Sequence, residues 1–142
     1  MKRFPVICPE WLSQKILKQG GDISFYDFMK LTLNDPHNGY YGSGKASLGT
    51  KGDFVTSPSL SIDFSQLLAK QIGDWISQMH ANSISLEEIN LLEFGAGNGD
   101  LLKGILEYFL IYSKDILNYV SFKIIELNVG MIEKQKINLS RF

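Results

Sequence analysis

Residues 91–102, LLEFGAGNGDLL, set Gly95, Gly97 and Gly99 within five positions, with Glu93 just before them, Ala96 between them and Asp100 just after. Glycine tolerates positive φ and leaves no Cβ between backbone and ligand. A strand–glycine–helix passage therefore brings backbone N–H groups and a helix N-terminus against a bound molecule. The spacing is G-x-G-x-G, and Asp100 stands where a dinucleotide fingerprint wants its third small residue. A carboxylate there repels a pyrophosphate, and Glu93 adds a second one to the same rim. Two carboxylates beside a glycine loop suit a cationic, phosphate-free nucleoside, a description that S-adenosylmethionine meets.

The next apolar run, KIIELN, places Glu126 at its carboxyl end, twenty-seven residues after Gly99. In a right-handed β-α-β unit that is where the ribose of a bound nucleoside lies, and a carboxylate accepts from both ribose hydroxyls. The structural alternatives are a tight βα turn for the glycines and a solvated strand end for Glu126. His37 and His80 are isolated and read as structural or exposed, the single Cys8 reads as plain packing, and no metal-ligand set is predicted.

These residues need elements to hold them. The spacing predicts a helix over 9–19, with Pro9 in its first turn and Gly20-Gly21 past its end. A second helix over 24–34 starts at Ser24 with Asp27 three residues on, turns Phe25, Phe28, Met29 and Thr32 to one side, and stops at Asp35-Pro36. Glycines and aromatics over 37–55 predict an irregular hairpin. From Pro58 to Met79 the apolar positions 60, 64, 67, 68, 72, 75, 76 and 79 predict one long amphipathic helix capped by Ser57 or Ser59, with Gly73 a soft point. After a polar break (80–88) follow a buried parallel strand (89–94), a helix (about 100–112), a second strand (121–127) and a last helix (129–139). That last helix is capped by Asn128 and turns Val129, Ile132 and Leu139 inward. The fold class is α/β. An N-terminal helical and hairpin cover region (1–88) precedes the first β-α-β-α half of a Rossmann-like sheet (89–142), truncated after its second strand.

Composition limits the function classes. Of 142 residues, 44% are hydrophobic and 20% charged, which is globular, and no apolar run approaches the ~20 residues that span a bilayer. Fourteen basic and fifteen acidic residues are interspersed at net charge −1, so no basic stripe predicts a nucleic-acid partner. One cysteine permits no internal disulfide, and MKRFPVICPEW lacks a signal peptide's apolar core, so the expected compartment is the cytoplasm.

Four segments, in order, resemble the MidA-like methyltransferases. These are ISFYDFMKLTLNDPHNGYY, GDFVTSPSLS, LLEFGAGNGDLL and IIELNVGMIEKQKINL. The resemblance implies a Rossmann-type methyltransferase using S-adenosylmethionine, with protein arginine methylation linked to assembly of mitochondrial respiratory complex I. It implies that Glu93, Gly95, Ala96, Gly97, Gly99 and Glu126 line the cofactor site, under a covering segment carrying Tyr40, Tyr41, Asp53 and Thr56. Asp53 is the candidate to orient or deprotonate an incoming nitrogen, and an aspartate tying down its own turn is the alternative. The family's glutamate after the GDF-segment proline is Ser59 here, and its FGE is Phe64-Ser65-Gln66. Gln135 is retained, and Asn128 replaces a serine. With only two parallel strands, the chain reads as the front half of a longer fold. Its exposed sheet edge predicts a partner polypeptide or self-association beside a protein substrate. The other function classes are a non-catalytic assembly module on a relict cofactor fold and an NAD-dependent oxidoreductase.

Overall fold

A computed structural model of the chain describes residues 8–82, 89–118 and 120–142. The first seven residues and positions 83–88 of the polar break lie outside the described residues, with whatever the sequence suggests for them. Helix α1, Glu10–Lys18, is entered through Pro9 and left through Gly20 and Gly21, whose φ angles of 105° and 98° are left-handed. In α2, Phe25–Asn34, the Ser24 Oγ accepts from the Asp27 N–H at 3.1 Å and donates to the Asp27 carboxylate at 2.6 Å. The chain leaves this helix at Asp35, whose ψ of 127° is the extended value expected before proline.

The segment predicted as a hairpin forms successive turns, with one isolated bridge between Leu48 and Phe54 and no paired strands. Five glycines in nineteen positions favour turns over a ladder. The long helix expected from Pro58 is divided at Ser61, which is extended (φ −151°, ψ 140°), into α3, Ser57–Leu60, and α4, Ile62–Asn82. Thr56 rather than Ser57 or Ser59 caps α3. Ser61 Oγ takes the Asp63 N–H at 3.1 Å, which restarts the helix.

Strand β1, Ile89–Phe94, pairs in parallel with β2, Val120–Ile125, from Ile89 opposite Val120 to Phe94 opposite Ile125. Between them run α5, Asp100–Tyr112, and a short 3-10 turn, Lys114–Asn118, and α6, Val129–Asn138, follows. The core joins Ala69, Ile72 and Ile76 of α4 to Ile105 and Phe109 of α5, with Ile116 and Val120, and Leu91 and Phe122 pack on it from the sheet. So α4, from the predicted cover region, shares one core with the sheet and α5. Gly73 is a packing position: a Cβ there would lie 3.2 Å from Phe109 Cε1.

Two burial expectations are corrected. β1 is not buried on both faces: it alternates, leaving Leu92 and Phe94 exposed, because the described elements cover one side of the sheet. On α6 the buried residues are Met131 and Gln135, while Val129 is exposed and Ile132 and Leu139 are partly covered. The helix meets a polar loop there, so amphipathic spacing does not mark its inner face. The apolar sides of α2 (Phe25, Phe28, Met29) and of α4 (Phe64, Leu67, Trp75, Met79) are likewise exposed.

Candidate cofactor site

At the carboxyl ends of β1 and β2 a cleft of ≈ 550 Å³ opens between the glycine loop, the start of α6 and the covering segment. That volume falls in the ~300–1,000 Å³ range of small-molecule sites. Glu93, Gly95, Ala96, Gly97, Asn98 and Asp100 form one wall, and Glu126, Asn128 and Met131 form the next. Tyr41, Leu48, Phe54, Val55, Thr56 and Pro58 come from the cover.

The loop begins as the Gly95 N–H donates to the Ile125 carbonyl at 3.0 Å, extending the sheet by one bond. Gly95, Gly97 and Gly99 take φ of 63°, 57° and 84°, a region costly for residues bearing a Cβ. Among the described residues a Cβ on Gly95 would meet nothing within 4 Å, and one on Gly97 would come 2.8 Å from Leu48 Cδ1 on the cover. The first is open and the second is a close approach. Gly99 lies outside the lining: a Cβ there would point at Leu139 Cδ1, 3.3 Å away, so Gly99 serves the packing of α6.

Burial raises the Glu93 carboxyl above its ordinary range; the Leu102 N–H opposes this, and the Asp100 charge adds to it. Glu126 is held more tightly than a solvated strand end. Its Oε1 accepts from the N–H groups of Leu127 (2.8 Å) and Asn128 (2.9 Å) and from Asn128 Nδ2 (3.2 Å). Its Oε2 meets Gln135 Nε2 at 3.4 Å. Asn128 occupies the N-cap position of α6 but makes no capping bond with its side chain. Its amide nitrogen turns to Glu126, and its Oδ1 is buried without a hydrogen-bond partner among the described residues.

In the cover, Tyr40 Oη donates to Asp53 Oδ2 at 2.5 Å, and the Asp53 N–H donates to the Ser47 carbonyl at 2.8 Å. The Asp53 carboxylate raises the Tyr40 hydroxyl above its usual range. Tyr40 and Asp53 thus stand outside the lining, tied to each other, while Tyr41 and Thr56 reach it. Tyr41 packs edge-on to Tyr40 with centroids 4.8 Å apart. Ser59, in place of the family glutamate, receives the Thr56 N–H on Oγ at 3.0 Å and keeps the reciprocal half of a capping box. The cover is docked on α6: Gly130 N–H donates to the Gly42 carbonyl at 2.9 Å and Lys134 Nζ to the Ala46 carbonyl at 2.5 Å.

Two residues outside the expected cofactor set organise the loop from behind. Gln135 Nε2 donates to the Gly97 carbonyl at 2.9 Å, and Asn138 Nδ2 donates to the Asn98 carbonyl and to Asp100 Oδ1, both at 3.0 Å. Lys103 Nζ closes the network on Asn138 Oδ1 at 2.9 Å. The available signal was spacing: Gln135 and Asn138 are i, i+3, on one helix face.

A two-stranded parallel sheet with a glycine turn at its carboxyl end, flanked by two carboxylates, has the arrangement of a Rossmann-like unit. The family model for S-adenosyl-L-methionine-dependent methyltransferases, Methyltransf_28, matches residues 67–142, and the chain belongs to this MidA-like family. It is 37% identical over 134 residues to human protein arginine methyltransferase NDUFAF7, mitochondrial, covering 88% of this chain and 29% of the relative. The Caenorhabditis elegans homologue is 31% identical over 127 residues, covering 87% of this chain and 28% of that one. Among solved structures, a COG1565 superfamily member from Burkholderia thailandensis bound to S-adenosyl-homocysteine superposes with a TM-score of 0.66 at 27% identity. That match covers 98% of this chain and 37% of the other. The chain thus spans under a third of the length of the curated relatives it matches. No helix among the described residues is long and apolar enough to cross a membrane.

Proposed function

We propose that the glycine cleft binds S-adenosyl-L-methionine and that the chain supplies this part of a methyltransferase acting on protein, with arginine as the acceptor. One observation carries it: Gly95, Ala96, Gly97, Glu93 and Glu126 face one cleft beneath Tyr41 and Thr56. The donor set fits the group. Glu93 would hold the ammonium of the methionine moiety, the loop backbone its carboxylate, and Glu126 Oε2 the ribose hydroxyls. When bound, S-adenosylmethionine supplies a methyl group on a sulfonium. The protein's part in such a displacement is alignment and exclusion of water. Phe54, Val55 and Pro58 supply an apolar lid over the cleft. We assign Asp53 to holding that lid through Tyr40 rather than to proton transfer, because Tyr40 already occupies its Oδ2.

The acceptor rests on the names of the relatives, which are protein arginine methyltransferases. Their names place them in mitochondria. A single exposed cysteine suits either a reducing matrix or the cytoplasm. A second class, an interaction module on a relict cofactor fold, is favoured by the exposed apolar faces of the sheet, α2 and α4.

Calorimetric titration and thermal shift with S-adenosylhomocysteine, S-adenosylmethionine and NAD separate these. A ligand at a hundred times its Kd stabilises by about 2.7 kcal/mol. Stabilisation by the first two alone supports the cofactor site, and its loss in Gly97→Val locates it, since a β-branched residue at φ 57° would also meet Leu48. No response to any of the three supports the interaction module, and a response to NAD alone the oxidoreductase.

A further inference from the structure

We propose that Gln135 is a positioning residue that locks the glycine loop to the Glu126 carboxylate, setting the two halves of the cleft in register. This rests on the cleft being the S-adenosylmethionine site. Gln135 is 5% exposed, on the inner face of α6, and its single amide nitrogen reaches both the Gly97 carbonyl (2.9 Å) and Glu126 Oε2 (3.4 Å). A primary amide carries two N–H donors, so one group can serve both acceptors at once. An ionised carboxylate or a thioether of similar length has none.

Each contact fixes something the ligand would meet. The peptide after Gly97 is planar and trans, so a carbonyl held toward α6 turns the Asn98 N–H to the opposite side. Asn138 pins the following carbonyl from the same helix face, so two successive peptides of the loop are oriented by α6. On the other side, Glu126 Oε1 is filled by the N–H groups of Leu127 and Asn128, which leaves Oε2 to face a ligand. Among the described residues, the partner of Oε2 is Gln135. The N–H groups of the loop and Oε2 of Glu126, which keeps a lone pair for a ligand beside the Gln135 bond, are thereby referred to one side chain. A buried amide on a face otherwise used for Met131 is costly unless it is bonded, and its bonds go to these two groups.

The test uses the full chain and S-adenosylhomocysteine, titrated by calorimetry, with the thermal midpoint of each ligand-free variant recorded on the same samples. Gln135→Met keeps length and burial and removes both donors. It should weaken binding by roughly tenfold to a hundredfold, the size expected for losing a hydrogen bond to a charged group. In a double-mutant cycle with Glu126→Gln, the two losses should be strongly non-additive, because Gln135 acts through Glu126. Gln135→Glu regains a donor only when protonated. The charged groups lining the shallow groove beside it are Glu126 and Lys136, and Asp100 lies one contact further through Asn138. Affinity of Q135E, taken relative to wild type at each pH, should therefore be about tenfold better at pH 5 than at pH 8. The Asn98 amide resonance should move in both variants without ligand.

Wild-type binding with Q135M within twofold of it, or additive losses in the cycle, overturns the role of Gln135 and leaves the cofactor site standing. A lowered midpoint with unchanged affinity does the same, since it makes Gln135 a packing residue. No binding by the wild-type chain overturns the cofactor site itself, and this role with it.

Discussion

The Cβ of Ser65 stands 2.4 Å from the place that a Cβ on Gly104 would occupy, so α4 and α5 cross with their backbones nearly in contact. Ser65 is buried, and its neighbours along α4, Ala69 and Gly73, are also small. A stripe of small residues is what lets α4 approach α5 and the sheet that ends in the glycine loop.

Gly104→Ala should therefore destabilise the fold although alanine is the better helix former. Overpacking costs about 1–3 kcal/mol and the propensity gain returns about 1, for a net loss of up to about 2 kcal/mol. Urea unfolding followed by circular dichroism checks this. A raised midpoint would mean that the two helices part without cost.

Asp35 anchors the start of the cover. Its carboxylate pairs with Lys15 Nζ, and its Oδ1 accepts from the N–H groups of His37 at 3.1 Å and Asn38 at 2.9 Å. The Lys15 bond first, then the backbone donors, hold it well below the ordinary carboxylate range, with burial opposing them. Because the folded value is depressed, this stabilisation is present above the unfolded value of about 3.9 and is lost as pH falls below it. Asp35→Asn should cost about 1–3 kcal/mol at pH 7 and progressively less below pH 4. Parallel acid titrations of the two chains, read by circular dichroism, should converge.

Glu93 has the opposite sign. Burial raises its carboxyl in the folded chain, so its contribution favours folding below about pH 4.3, the unfolded value, and declines as pH rises through the higher folded value. Glu93→Gln should raise the thermal midpoint of the ligand-free chain at pH 7. A ligand ammonium needs the ionised form, so wild-type affinity for S-adenosylhomocysteine should rise from pH 4 toward neutrality. The variant should bind roughly tenfold more weakly at pH 7 and with little slope over that window. Equal affinities at pH 7 would place the ammonium elsewhere.

The outer face of the sheet, with Leu92, Phe94 and Ile125 exposed, should drive association of the chain with itself when no partner is supplied. Light scattering should show species larger than the monomer, and Phe94→Asp should reduce them without lowering the midpoint, since Phe94 is 73% exposed. A wild-type chain that stays monomeric at high concentration would argue against an open face.

Much of the candidate cleft was legible in the sequence because its signals are local. Glycines at 95, 97 and 99 read as left-handed backbone, and all three are left-handed. An acid ending each apolar run reads as a carboxylate at the mouth of a parallel sheet, and Glu93 and Glu126 both reach the cleft. The helix ends at Ser24, Asp35 and Gly20-Gly21 follow rules spanning four residues or fewer. Neither the break at Ser61 nor the inner face of α6 is legible in this way, since apolar spacing continues across the first and the second meets a polar loop.

The alternation of apolar residues and the placing of glycines and acids thus determined, by chain-local sterics and charge, that a strand–glycine–helix unit forms and what kind of molecule its rim favours. Only the tertiary structure decided which of these groups work together. It turned Gly99 to packing against Leu139, tied Asp53 to a tyrosine thirteen residues away, and brought Gln135 from thirty-eight residues downstream onto the Gly97 carbonyl. The physical reason is that a hydrogen bond between distant residues depends on where helices dock. That docking is set by the fit of small and large side chains summed over the whole core, which no short stretch of sequence contains.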